Sequence, residues 1–284
     1  MSLHFDKVHE MKTRKTSNLW SSRRGIAIPV TFLMLFVSLT ILISATYYFS
    51  ISRINAKSQE LKAAGVEQEM LSLEKVVRFV AWSPGTYETF EFGDFGGTLK
   101  VLPTSKNLML NLTDNSSFDE TVFNGSVGKI IYELPPSEAQ GNVFLKGDNR
   151  AIVNQSSATL AQVYISQGAA SYEMTITYRP SAGSTVTYSS DGRPVNDLRI
   201  YIISLNSSES ITRMGNLRLK ATCIDVTSTW QSYSFSQPVT SLWIKADADG
   251  TLGSVSFPIS SDAQGAVVNL ETVVCTIKIE EVGR

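Results

Sequence analysis

Histidine is nearly absent from this 284-residue chain: there are two, His4 and His9, both before residue 10. Everything downstream lacks the commonest acid–base group and metal ligand near neutral pH, which excludes histidine-dependent chemistry there. Cysteine is equally scarce. Cys223 and Cys275 are too few for a disulfide scaffold and show no paired CxxC spacing, so no metal site is expected. Charge of one sign is missing as well, since 25 Lys and Arg stand against 26 Asp and Glu, with a sequence pI near 6.2. That balance excludes the broad basic surface that phosphate backbones require, and nucleic acid is not an expected partner. No GxSxG nucleophile elbow occurs, so the chain is read as a non-enzyme with no catalytic residue and no cofactor.

Charge is balanced overall but not locally. Lys7, Lys12, Arg14, Lys15, Arg23 and Arg24 crowd the first 25 residues against only Asp6 and Glu10, and an uncharged apolar run follows from Ile26 to Ser52. This run exceeds the about 20 residues that a membrane span needs, and Tyr47 and Tyr48 stand near its far end, where interfacial aromatics sit. Positive charge stays on the cytoplasmic side, so the N-terminus is expected inside and the bulk of the chain outside. After the run, Ile54, Leu61, Met70, Leu73, Val77 and Val80 recur at helical spacing among Lys and Glu. No breaker separates the two segments, which predicts one long helix ending at Trp82-Ser83-Pro84-Gly85.

From about Thr86 the texture changes to short alternating runs between Gly, Asn, Asp, Ser and Pro, among them Thr98–Leu102, Lys129–Leu134, Glu173–Tyr178, Leu198–Ile203, Leu217–Ile224, Leu242–Lys245 and Val273–Ile279. The fold class is therefore α+β: a long N-terminal hydrophobic and amphipathic helix followed by an antiparallel, β-sandwich-like domain. The polar stretch from Asn111 to Gly128 reads as a long surface loop. Divisions near Asp148 or Ser181 lack a linker composition, so the β-rich part is taken as one domain. The organisation is a basic leader 1–25, a membrane or bundle helix 26–52, an amphipathic extension 53–83 and an extracellular β-rich domain 84–284.

Several short motifs carry weight only in this context. N-x-[ST] sequons occur at Asn111, Asn115, Asn124, Asn154 and Asn206, all downstream of the apolar run, as expected for loops of an exported domain that could carry glycans. Cys223 shares a strand face with Leu217, Leu219 and Ala221, and Cys275 with Val273, Ile277 and Ile279, so both should point inward. They would form either one disulfide in an oxidising compartment or two buried free thiols. Asp247 and Asp249 before Gly250 suggest part of a calcium loop, but the incomplete ligand spacing favours a hairpin turn. Asp94-Phe95-Gly96-Gly97 contains a kinase-like Asp-Phe-Gly without its companion motifs and is read as a turn.

Ser22-Arg23-Arg24-Gly25, directly followed by Ile26-Ala27-Ile28-Pro29-Val30 and the apolar run, resembles the leader of type IV pilin-like precursors, the archaeal kind more than the bacterial. The resemblance covers roughly Ser22 to Val80. It implies a class III signal peptide, recognised through Arg23, Arg24, Gly25 and Ile26, that a membrane-embedded prepilin peptidase cuts between Gly25 and Ile26. It further implies that the helix stays on the mature chain, first as membrane anchor and then as filament core against other pilin-like subunits. Val30 stands where bacterial members carry a glutamate at the fifth mature residue.

The expectation is a structural subunit, minor or adhesive, of an archaeal type IV pilus-like surface filament. The alternative is a permanently anchored cell-surface adhesion or binding protein that never polymerises. A secretory signal cut after Ala45 fits less well, because the apolar run exceeds the usual signal length of about 7 to 15 residues.

Overall fold

The computed structural model of the chain describes residues 23–135, 142–155, 159–167, 171–189 and 192–283. Most of the basic leader, with both histidines, lies outside the described residues. Helix α1 (Arg23–Val80) opens the described chain. The first half of the β-region holds β1 (Tyr87–Phe92), β2 (Thr98–Leu102), β3 (Asn107–Thr113), β4 (Asp119–Ser126), β5 (Lys129–Leu134), β6 (Val143–Lys146), β7 (Val153–Asn154) and β8 (Ala161–Gln167). The second half holds β9 (Tyr172–Tyr178), β10 (Ser181–Tyr188), β11 (Pro194–Ser204), β12 (Ile211–Met214), β13 (Leu217–Phe235), β14 (Ser241–Ala248), β15 (Thr251–Pro258) and β16 (Ala266–Glu281). The described chain is thus one long helix followed by predominantly antiparallel sheets. It divides between Ser58 and Gln59 into two compact units, so the last part of α1 belongs to the β-rich unit.

Helix and strand follow local chemistry. Between Gly25 and Gly65 helix α1 contains no glycine, and its apolar run to Ser52 holds no Asp or Asn to compete for backbone hydrogen bonds. The helix stops where Trp82 adopts φ 70° and Pro84-Gly85 follow, Gly85 at φ 81°. Trp82 in the left-handed region, with Ala81 N–H still donating to Val77 C=O at 3.0 Å, closes the last turn. In its second half, Val66, Met70, Leu73, Val77 and Val80 recur at steps of four and three and are fully buried. Burying such side chains stabilises by about 1.5–3 kcal/mol each, so this stripe contributes on the order of 10 kcal/mol.

The strands form three sheets. A central sheet has the order β1-β13-β16-β11-β10-β7; a helix-side sheet runs β12-β2-β5-β9-β8-β6; an outer sheet runs β15-β14-β3-β4. The two parallel pairs among the described strands, β11 with β16 and β7 with β10, both lie in the central sheet and interrupt the expected antiparallel order. Strand β11 reaches β16 only after the chain has built β12 to β15, because a parallel neighbour cannot follow through a tight turn.

Two hydrophobic cores result, one on each face of the central sheet. Along β16, Val268 and Leu270 enter the core shared with the outer sheet, whereas Cys275, Ile277 and Ile279 enter the core shared with α1 and the helix-side sheet. Successive strand residues point to opposite faces, so the change from even to odd positions moves the buried side across the sheet. At the change, Glu271, Thr272 and Val273 are all buried. Strand β11 repeats the pattern, with Leu198, Ile200 and Ile202 in one core and Ile203 in the other. Sandwich-like packing therefore occurs twice around one shared sheet.

The stretch Asn111–Gly128 departs from its expectation as a loop. It holds the end of β3 and all of β4, an antiparallel pair joined around Asp114, whose Oδ1 accepts N–H bonds from Ser116, Ser117 and Phe118 at 2.7, 2.9 and 2.9 Å. Strand β4 is a sheet edge with only Val122 and Phe123 packed inward, so its polar outer face dilutes the strand pattern. Two turns follow the expectation. Asp249 and Gly250, at φ 49° and 81°, join β14 to β15, and the Asp94 carboxylate accepts the Gly96 N–H at 2.8 Å between β1 and β2. Gly65 is a contact point between α1 and the β1–β2 connection: a β-carbon there would lie 2.4 Å from the Phe95 ring.

Lys106 ties the helix-side and outer sheets together. Its Nζ donates to Tyr178 C=O at 2.8 Å and to Gln162 Oε1 at 3.3 Å. Burial pushes its pKa from 10.5 down to about 7; Asp249 opposes that shift, and Arg179 and Lys129 add to it. Above pH 7 the native state has released a proton that the unfolded chain still holds, so this group makes stability rise with pH from about 7 toward 10.5. We expect chemical-denaturation measurements between pH 7 and 8.5 to show that rise, at most about 1.4 kcal/mol per pH unit, and to show it vanish in Lys106→Met.

Candidate membrane and assembly helix

Among the described residues, one helix is long and apolar enough to cross a membrane, and that part is unburied. From Ile28 to Lys62 every residue is exposed. The exposed side chains include the consecutive Phe32, Leu33, Met34, Leu35 and Phe36, which cover a full turn and so point to all sides of the helix. Ile54 and Leu61, which the periodicity placed with the amphipathic stripe, are 66% and 63% exposed; the helix packs from Ala63 and its fully buried stripe starts at Val66. The apolar surface thus extends beyond the uncharged run.

Three hydroxyls of this stretch bond back to their own helix. Ser38 Oγ donates to Leu35 C=O at 2.9 Å, Thr40 Oγ1 to Phe36 C=O at 2.8 Å and Thr46 Oγ1 to Leu42 C=O at 2.8 Å. Hydroxyls bonded back to their own helix make no demand on water, which a lipid or close-packed surrounding requires. Charged residues reappear at Arg53 and Lys57.

The residues of the expected cleavage site lie in the first turn of α1, with Arg23 as its first residue. Pro29 is inside the helix and has no N–H, so it cannot donate to the carbonyl of Gly25 four residues earlier. The Gly25–Ile26 peptide bond thereby lacks the helical hydrogen bond that would shield it.

The remaining site residues are spread over the β-rich unit. Asn115, Asn124, Asn154 and Asn206 are exposed, as a sugar acceptor must be. Asn111 is half-buried in β3; its Nδ2 donates to Asp119 Oδ1 at 3.0 Å and its Oδ1 accepts from Thr121 at 3.2 Å, so its carboxamide is already engaged. The Asp247 carboxylate accepts the Gly250 N–H at 2.7 Å and that of Asp249 the Asn107 N–H at 2.8 Å, which commits both to backbone. Among the described residues, no group of three or more His, Cys, Asp and Glu side chains could hold a metal ion.

Cys223 and Cys275 are fully buried on neighbouring strands in the helix-side core, their Sγ atoms 3.7 Å apart as two free thiols. Cys223 pairs with Ile277, two residues from Cys275 on the same strand face, which makes the two cysteines diagonal neighbours beside a register shift between Cys223 and Asp225. Burial pushes the Cys275 thiol up to about 12; the Trp82 N–H, donating to its sulfur at 3.3 Å, opposes the shift, and Cys223 adds to it. No protein family, curated protein or solved structure matches this chain.

Thiolate is the reactive form of cysteine, and neither access nor acidity favours it here. We expect the native chain to resist maleimide at pH 8 and to take up two labels per chain once unfolded in guanidinium, as counted by intact mass.

Proposed function

We propose that the chain is a structural subunit of a type IV pilin-like surface filament of the archaeal kind. In this reading α1 first anchors the newly made chain in the membrane, with the leader inside and the β-rich unit outside, and later packs among the same helices of sister subunits. The observation that carries the reading is one continuous helix with two different surfaces: apolar and unburied on every side from Ile28 through the span, then striped and packed into a folded head from Val66. A surface of the first kind is stable only in lipid or against other apolar helices.

The leader chemistry supports the same reading. Arg23 and Arg24 precede Gly25, and Pro29 deprives the Gly25 carbonyl of its helical donor, which eases local opening where the peptidase would cut. Cleavage would place Pro29 at the fourth residue of the mature helix, where an N–H has no partner to lose. Val30, the fifth residue, offers no carboxylate to a neighbouring amino terminus, so helix packing would rest on apolar shape.

N-terminal sequencing of the membrane-extracted protein is expected to start at Ile26, and antibody to the β-rich unit is expected to decorate fibres in sheared surface material. A start at Met1, or well beyond Ile26, would overturn the processing; label confined to membranes, without fibres, would favour a permanent single-pass anchor. In Pro29→Ala, which restores the hydrogen bond across the cleavage site, the uncut precursor should accumulate several-fold on immunoblots.

A further inference from the structure

The central sheet is covered by the helix-side core only up to the row that contains Tyr201 and Val273. Trp82 closes that end, its ring edge-on to Tyr201 at 5.4 Å between centroids. Beyond it the same sheet face is open. Directly paired residues point to the same side, and the registers Gly183↔Arg199, Arg199↔Glu271 and Glu271↔Trp230 set four of them in one line across β10, β11, β16 and β13. The next line out is Thr185, Asp197, Asn269 and Ser232. The first line, with Thr185 and Asp197 of the second, lines a groove of about 680 Å³. A second hollow of about 450 Å³ shares Gln155 and Tyr201 with it and reaches Glu74, Trp82 and Tyr178.

The chemistry of the floor is specific. Trp230 is 59% exposed, a large flat ring in an otherwise polar row. The carboxylates beside it are held in place: Glu271 accepts from Ser228 at 2.7 Å and is paired with Arg199, and Asp197 accepts from Asn269 at 3.0 Å and Thr187 at 3.1 Å. Gly183 leaves room for the Gln155 amide, since a β-carbon there would lie 2.4 Å from its Oε1. In the second hollow the Oε1 of buried Glu74 and the hydroxyl of buried Tyr178 have no hydrogen-bond partner.

Asp197 and Glu271 outnumber Arg199, so the lining does not select an anion. An apolar ligand would strip water from the exposed Arg199 guanidinium and from the free lone pairs of the two carboxylates without replacing its hydrogen bonds, which is costly. A pyranose satisfies both demands: its C–H face covers an aromatic ring, and its hydroxyls donate to carboxylates while accepting from guanidinium and amide groups. We propose that this groove binds a neutral oligosaccharide, with one ring stacked on Trp230, hydroxyls held by Asp197, Arg199 and Glu271, and the chain running past Tyr201 toward Trp82. The held carboxylates lower the ordering cost of binding. The site is independent of whether α1 polymerises.

The test uses the full chain made in a host without N-glycosylation, so that the Asn154 sequon at the groove stays bare, and kept in a sugar-free amine-oxide detergent. It is applied to an array of neutral gluco-, manno-, galacto- and N-acetylhexosamine oligosaccharides beside uronate and sulfated chains. We expect retention on one or more neutral chains, about tenfold weaker binding for Trp230→Ala at unchanged melting temperature, and partial recovery in Trp230→Phe. Retention by none of the neutral chains, retention by acidic chains alone, or binding undiminished in Trp230→Ala overturns the proposal.

Discussion

Burial of one helical stripe is the interaction on which the β-rich unit depends. Val66, Met70, Leu73, Val77 and Val80 enter the same core as Leu99, Val101, Ile130, Ile176, Leu219 and Ile277, side chains from two different sheets. Without the stripe those sheets would face each other across a void or expose their apolar faces to water, and neither state is tolerated in a close-packed interior. The helix is therefore structural over its second half, whatever its first half does. Glu74 shows how completely it is enclosed: the carboxylate is 1% exposed and paired with Lys146 of β6, a buried charge that survives only with its partner.

The central sheet then solves a second problem. Its strands β13 and β16, 19 and 16 residues long, are much longer than ordinary strands of about 5–6 residues. One packing partner does not cover that length, and the sheet instead takes α1 with the helix-side sheet on one face and the outer sheet on the other. The covered faces overlap only around Glu271–Val273. What remains is uncovered sheet at both ends, and on the helix-side face it is polar, with Asp197, Arg199 and Glu271 in place of Cys275 and Ile277. A binding groove arises as the unfilled part of a face whose backbone is held rigid by the core behind it, which suits a site that must keep its side chains in position.

The first half of α1 has no such partner. Its side chains are exposed on all sides, the hydroxyls of Ser38, Thr40 and Thr46 are bonded to its own carbonyls, and its apolar character continues past Ser52 to Ile54 and Leu61. That combination suits a medium without water. Lipid and a bundle of sister helices are equivalent to it in polarity, which is why a helix of this kind can pass from one to the other at little cost in hydrophobic free energy and with close packing as the gain.

The long helix, its apolar first half, the stop near Trp82 and many of the core strands were legible in the sequence, because they rest on local periodicity: Thr98–Leu102 and Lys129–Leu134 match β2 and β5 residue for residue. The inward direction of Cys223 and Cys275 was legible for the same reason. Edge strand β4 was not, since half of its face meets water and its Asn, Asp and Ser read as loop. Nor was the parallel pairing of β11 with β16, the change of core face at Glu271, or the line that joins Gly183, Arg199, Glu271 and Trp230. Alternation along a strand says which residues share a face, but only pairing between strands far apart in the chain decides which faces meet and which side chains end up beside one another.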